Sequence, residues 1–209
     1  MFFAKAGKYK ACNIFTSGHF ALIFTTFAII AFALKKTVNK SKEEVYKIIK
    51  MLTIILVGLE IFKIGFTLQS FKITDVKEWV PLYYCSLLLY AGILSSFAKG
   101  KLKRVGDVFL ATGSIIGGLV FIFFPTTSLF TYPVFHFISI HSFFFHGTMV
   151  YLTLLINKTH YIELKKKDIV YFASLVGVVC IAALIVNHIF NTNLMFISMD
   201  FPNTPITIL

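Results

Sequence analysis

Residues 11–34 run without one charged side chain, and the same holds for residues 80–98, 108–124, 134–156 and 169–189. Crossing the hydrocarbon core takes roughly 20 consecutive apolar residues as helix. A chain with several such runs joined by short charged loops has little choice but to fold as a bundle of helices in a bilayer. Only 14% of the 209 residues are charged and 57% are hydrophobic, against about a quarter charged in soluble domains. The expected fold is therefore all-α: a polytopic membrane helix bundle of about six transmembrane helices. It forms one integral membrane domain, residues 1–209, with spans near 11–34, 51–69, 80–98, 108–124, 134–156 and 169–189. A cleaved signal peptide is the competing reading of the first span. That apolar stretch is too long for one, and Lys35-Lys36 follow directly.

The net charge of +11 would suggest nucleic acid in a soluble protein. Here the lysines sit in loops between apolar runs, so no nucleic-acid partner is expected and membrane lipid is. Loops 35–50, 99–107 and 157–168 carry six, four and four Lys or Arg, while the two intervening loops carry two and none. By the positive-inside bias, the first three are expected to be cytoplasmic and both termini outside, in a cell membrane. Cys12, Cys85 and Cys180 share no metal-ligand spacing, so neither metal nor cofactor is expected.

Polar residues inside apolar runs are costly and usually functional or mutually paired. Glu60 and Lys63 are three apart and share a helix face, and Thr53, Glu60 and Thr67 form a stripe at sevenfold spacing. This is either a packing pair or the wall of a site. Pro81 suits a helix start, with Cys85 and Ser86 about one turn further on. A thiol there feels the positive end of the helix dipole, which favours thiolate. His19, His136, His141, His146 and Asn187 all fall toward the same outer side in this topology, pointing to a shared cavity. His141 and His146 are five apart, roughly 140° around a helix, so they should not both point squarely at one site. His136 and His146 lie closer to one face. The glycine-rich run from Gly113 to Gly118 reads as close helix packing. The tail after Phe190 reads as interfacial, or as the start of a further span.

Several short pieces, in order, resemble a known family: Thr16-Ser17-Gly18-His19, Pro81-Leu82-Tyr83-Tyr84-Cys85-Ser86, the glycine-rich run ending at Pro125, His146-Gly147, Asn187, and Asn193-Leu194-Met195-Phe196. The chain resembles the YwaF-like bacterial membrane proteins, related to transmembrane protein 164 and more distantly to the androgen-induced gene proteins. Members often carry a histidine before the Leu-Cys pair, where this chain has Tyr83-Tyr84. The resemblance implies acyl-transfer or lipid-ester hydrolase chemistry at a lipid-facing site. Cys85 would be the nucleophile and His146 the base, with His141 in reserve. Ser86 and Asn187 would donate to the oxyanion, and His19, Glu60, Lys63 and His136 would complete the substrate-binding wall. A small-molecule transporter or its binding subunit is the alternative, with Glu60, Lys63 and the histidines gripping a polar solute. A structural subunit contacting its complex through the glycine-rich span is a third.

Overall fold

In a computed structural model, residues 1–198 are described, and among them every regular element is helical. The long helices are α1 (Ser17–Thr37), α2 (Lys42–Thr67), α8 (Phe137–Lys158) and α9 (Ile169–Phe190). Between α2 and α8 lie the short α3 (Val76–Trp79), then α4 (Leu87–Phe97), α5 (Gly100–Ala111), α6 (Gly113–Phe123) and α7 (Thr126–Leu129). Four segments are long and apolar enough to cross a membrane: α1, the run Gly100–Leu129, α8, and Lys166–Phe190. The molecule is a helical membrane bundle.

Helix α8 is its axis: 78% of its apolar window is buried, against 17% for α1 and for the last span. Helices α1, α2, α5 and α6 all pack on it. The flanking helices instead present apolar side chains outward, such as Phe24, Ile29 and Phe32 on α1 and Val178, Ile181 and Ile185 on α9. Exposed apolar faces of this extent need lipid, not water, around them.

Four segments differ from the sequence expectation. Helix α2 begins at Lys42, well before the expected span at 51. Ser41 caps it: its hydroxyl accepts from the Glu44 N–H at 3.3 Å, and the Glu44 carboxylate accepts from the Ser41 N–H at 2.9 Å. Residues 99–107, expected as loop, are mostly the first part of α5. Gly100, at φ +58°, makes the turn from α4, a conformation that a side chain would resist. The charges that suggested a loop are used laterally. Lys103 reaches the Asp107 carboxylate at 2.7 Å and the Tyr161 hydroxyl at 2.9 Å, and Ser95 donates to Asp107 at 2.5 Å. The third apolar run becomes helical late. Val80 is held extended before Pro81, a 3-10 turn covers Tyr84–Ser86, and only Leu87–Phe97 is α-helix. The run from α5 into α6 breaks at Thr112, whose φ −130° and ψ −80° are not helical.

Glu44 gives the capping box a pH signature. Its hydrogen bonds with Lys40 and Ser41 hold its carboxyl down to about 2 from an ordinary 4.5. A carboxyl depressed in the folded state stabilises fully above its unfolded value and loses that contribution as pH falls toward the folded one. Protection of the first-turn amides of α2 in hydrogen exchange is therefore expected to fade between about pH 4.5 and 2, and Glu44→Gln to lose this pH dependence. An unchanged profile in Glu44→Gln would remove the capping box as its source.

Candidate functional site

A cavity of about 680 Å³ opens at the lysine-poor end of the bundle. Glu60, Lys63 and Thr67 of α2 line one wall, and Cys85 and Ser86 of the 3-10 turn another. His141, Ser142, Phe145 and His146 of α8 form the back, and Ile116, Gly117, Val120 and Phe121 of α6 the remaining side. The late helix start puts Cys85 in the first turn of its helix rather than one turn inside, which brings the sulfur closer to the positive end of the dipole than the sequence reading had it.

The thiol's position depends on the glycines of α6. The Tyr84 hydroxyl donates to the Gly113 carbonyl at 3.1 Å. A Cβ on Gly113 would come within 2.8 Å of that hydroxyl, and one on Gly117 within 3.0 Å of the Tyr84 ring. The small residues expected as a helix-packing stripe thus also cradle the side chain next to Cys85. Gly113→Ala, which would also meet the Phe172 ring at 2.5 Å, is expected to cost about 1–3 kcal/mol, read as a lower melting temperature in detergent.

Hydrogen bonding separates the histidines into two kinds. At His19 the ring Nδ1 accepts from the Phe15 N–H at 3.0 Å and Nε2 donates to the Ile122 carbonyl at 2.9 Å. At His136, Nδ1 accepts from the Ile138 N–H at 3.1 Å, capping α8, and Nε2 donates to the Ala4 carbonyl at 2.9 Å. Both rings are fully used in holding backbone, and neither lines the cavity. Asn187 is also placed elsewhere. It accepts from the Leu194 N–H at 2.7 Å and donates to the Leu194 carbonyl at 3.0 Å, closing the C-terminal end of α9. The last part of the tail reading, at 199–209, lies outside the described residues.

His141 and His146 differ. Both are 5% exposed, and His141 Nδ1 and Nε2 and His146 Nε2 lack a hydrogen-bond partner among the described residues. Buried polar atoms are nearly always paired in folded proteins, so these three nitrogens on one cavity wall set the two rings apart from His19 and His136. The His146 Nδ1 lies 2.7 Å from the Ser142 carbonyl. A carbonyl oxygen only accepts, so Nδ1 carries the proton, and in the neutral ring Nε2 is a bare lone pair. The ring is fixed by stacking on Phe121 at 3.6 Å between centroids. His141 turns the other way, with Nε2 3.8 Å from Glu60 Oε2, and Glu60 in turn is paired with Lys63 at 2.6 Å. The two rings point different ways, and the cavity is broad enough for both to line it. One ring turns to α6 and the other to α2, and both reach it.

The polar stripe of α2 is buried throughout, with Thr53, Glu60 and Thr67 at 3%, 5% and 6% exposure. Thr53 packs where a Gly92 Cβ would come within 2.6 Å of its hydroxyl, while Glu60 and Thr67 line the cavity. The cavity also extends to residues that the sequence reading missed: Lys77 and Glu78 of the short α3, Thr126 of the short α7, and Thr131 just after it. Helices of four residues are too short to carry a periodicity that would flag them. Among the described residues no three His, Cys, Asp or Glu side chains converge as metal ligands.

No match is found among curated proteins or among solved structures. A profile described as the TMEM164 family matches residues 14–208, nearly the whole chain and all the cavity-lining residues. By that coverage, and in agreement with the motifs at His19, Cys85-Ser86 and His146-Gly147, the chain belongs to the TMEM164 family.

Proposed function

We propose that the protein is a membrane-embedded acyltransferase or lipid-ester hydrolase in which Cys85 attacks an acyl carbonyl and His146 takes the thiol proton. One observation carries the reading: Cys85 shares a cavity with a buried imidazole whose Nε2 has no hydrogen-bond partner among the described residues. In the forward step the Sγ–C bond forms, the ester C–O bond breaks, and the proton moves through His146 to the leaving alkoxide. Water or an acceptor alcohol then releases the acyl group by the reverse sequence. Ser86, buried beside the thiol and lining the same cavity, is the oxyanion donor in this scheme. His141 and the Glu60–Lys63 pair form the polar wall against the head group, whereas His19, His136 and Asn187 support the fold.

The rim favours a lipid. Ile116, Val120 and Phe124 recur every fourth residue, are 58%, 59% and 55% exposed, and line the cavity. An acyl chain can enter sideways along that stripe without leaving an apolar environment. The loop charges support a cell-membrane location with the lysine-rich loops cytoplasmic and the cavity toward the outer leaflet. The transporter reading draws on a different feature, the buried Glu60–Lys63 pair in the wall, and requires solute flux across vesicles that Glu60→Gln abolishes.

A long-chain acyl-thioester probe, which transfers its acyl group to the Cys85 sulfur and releases its own thiol, tests the enzyme reading. Cys85→Ala is expected to abolish labelling while Cys12→Ala and Cys180→Ala retain it. Full labelling of folded Cys85→Ala ends the proposal.

A further inference from the structure

We propose that the opposite, lysine-rich end of the bundle holds a second site, which binds the head group of an anionic phospholipid. A cavity of about 470 Å³ forms there where the start of α2, the middle of α5, the segment after α8 and the start of α9 meet. Lys42, Arg104, Tyr161, Lys165, Lys167 and Tyr171 are among its lining residues. It is remote from the thiol: Lys42 and Glu60 are separated by about 27 Å along α2 at 1.5 Å per residue.

The frame of this site is built. Arg104 Nε donates to Asp168 Oδ1 at 3.2 Å, its Nη2 donates to Asp168 Oδ2, and Nη2 also reaches the Glu163 carbonyl at 2.5 Å. Asp168 further accepts from the Lys165 N–H at 2.7 Å. Arginine and aspartate cancel each other while pinning the 163–168 segment in place. Nearby lysines are also neutralised, Lys40 by Glu44 and Lys47 by Glu43. Lys42, Lys165 and Lys167 are in no ion pair among the described residues, and the only other carboxylate in the lining is that of Glu163. The cavity therefore keeps a positive surplus on a fixed frame, the charge pattern that a phosphate monoanion complements.

The surroundings select a lipid over a free anion. Ile162 lines the cavity, and Leu164, Ile169 and Val170 stand exposed beside it. From there the exposed apolar residues Val178, Ile181 and Ile185 continue along α9. A phospholipid seated with its phosphate among the lysines lays its acyl chains along that surface. A free phosphate would make no use of it.

Lipid retention by the full-length protein tests this. Purified protein in detergent is titrated with phosphatidylglycerol or phosphatidylcholine and bound lipid is read by native mass spectrometry. Phosphatidylglycerol is expected to be retained preferentially. The double variant Lys165→Gln/Lys167→Gln is expected to weaken its retention roughly tenfold or more, with the melting temperature unchanged. Lys99→Gln/Lys101→Gln, exposed at the same end and outside the cavity, should leave retention intact. Equal losses in both double variants would reduce the site to general surface charge and overturn the proposal. So would complete displacement of the lipid by millimolar inorganic phosphate, which would make it a free-anion site.

Discussion

His146→Gln is expected to slow acylation of Cys85 by about 10²–10⁴-fold, the usual contribution of a positioned general base. The side chain sits at 5% exposure with Nδ1 committed to the Ser142 carbonyl and the ring stacked on Phe121, so its tautomer and orientation are set before substrate arrives. Glutamine keeps much of the volume and can still donate to Ser142, but offers no base. Rate of probe labelling is the measurement, and its pH profile should flatten in the variant. His19→Gln is the comparison. It breaks bonds from a buried ring to two backbone groups, each orphaned group costing about 1–3 kcal/mol, so melting temperature falls while the labelling rate of the folded fraction holds. If His19→Gln lost the rate and His146→Gln kept it, the division of the histidines into structural and chemical would be reversed.

Gly106→Ala is expected to be the most damaging glycine substitution in the bundle. A Cβ there would lie 2.3 Å from the Ala91 carbonyl oxygen and 2.5 Å from the Ser95 nitrogen. Both are backbone atoms of α4, so no side chain can rotate away, and α4 and α5 would have to separate. That separation would also pull Ser95 from Asp107, a 2.5 Å hydrogen bond between buried residues. The cost is at the upper end for overpacking, about 3 kcal/mol or more, seen as loss of folded protein or a large drop in melting temperature in detergent. Gly177→Ala, with nothing within 4 Å of its Cβ, should be neutral or slightly stabilising as a mid-helix glycine replacement. Equal stability of the two variants would mean that α4 and α5 do not approach this closely.

Legibility followed the range of the interaction. Four of the five uncharged runs fall in segments long and apolar enough to cross, because bilayer thickness acts on local composition, while the run at 80–98 yields only a shorter apolar helix. Helix ends were less legible. Lysines at 42 and 99–104 read as loop, because partners such as Asp107 and Tyr161 for Lys103 are supplied by packing. The thiol, the Glu60–Lys63 pair and four histidines were visible as polar residues in apolar surroundings. Which histidines were free for chemistry was not visible. His19 is satisfied by Ile122 and His136 by Ala4, each far away in the chain.

What the amino-acid order determined alone was the environment, the helical class and the set of chemically capable side chains, since hydrophobicity and helical periodicity are properties of short segments. The tertiary structure decided which of those side chains were already spent. A buried nitrogen is satisfied or orphaned only once distant carbonyls have been brought to it, and among the described residues that left both nitrogens of His141 and the Nε2 of His146 without a partner beside the cavity that Cys85 also lines.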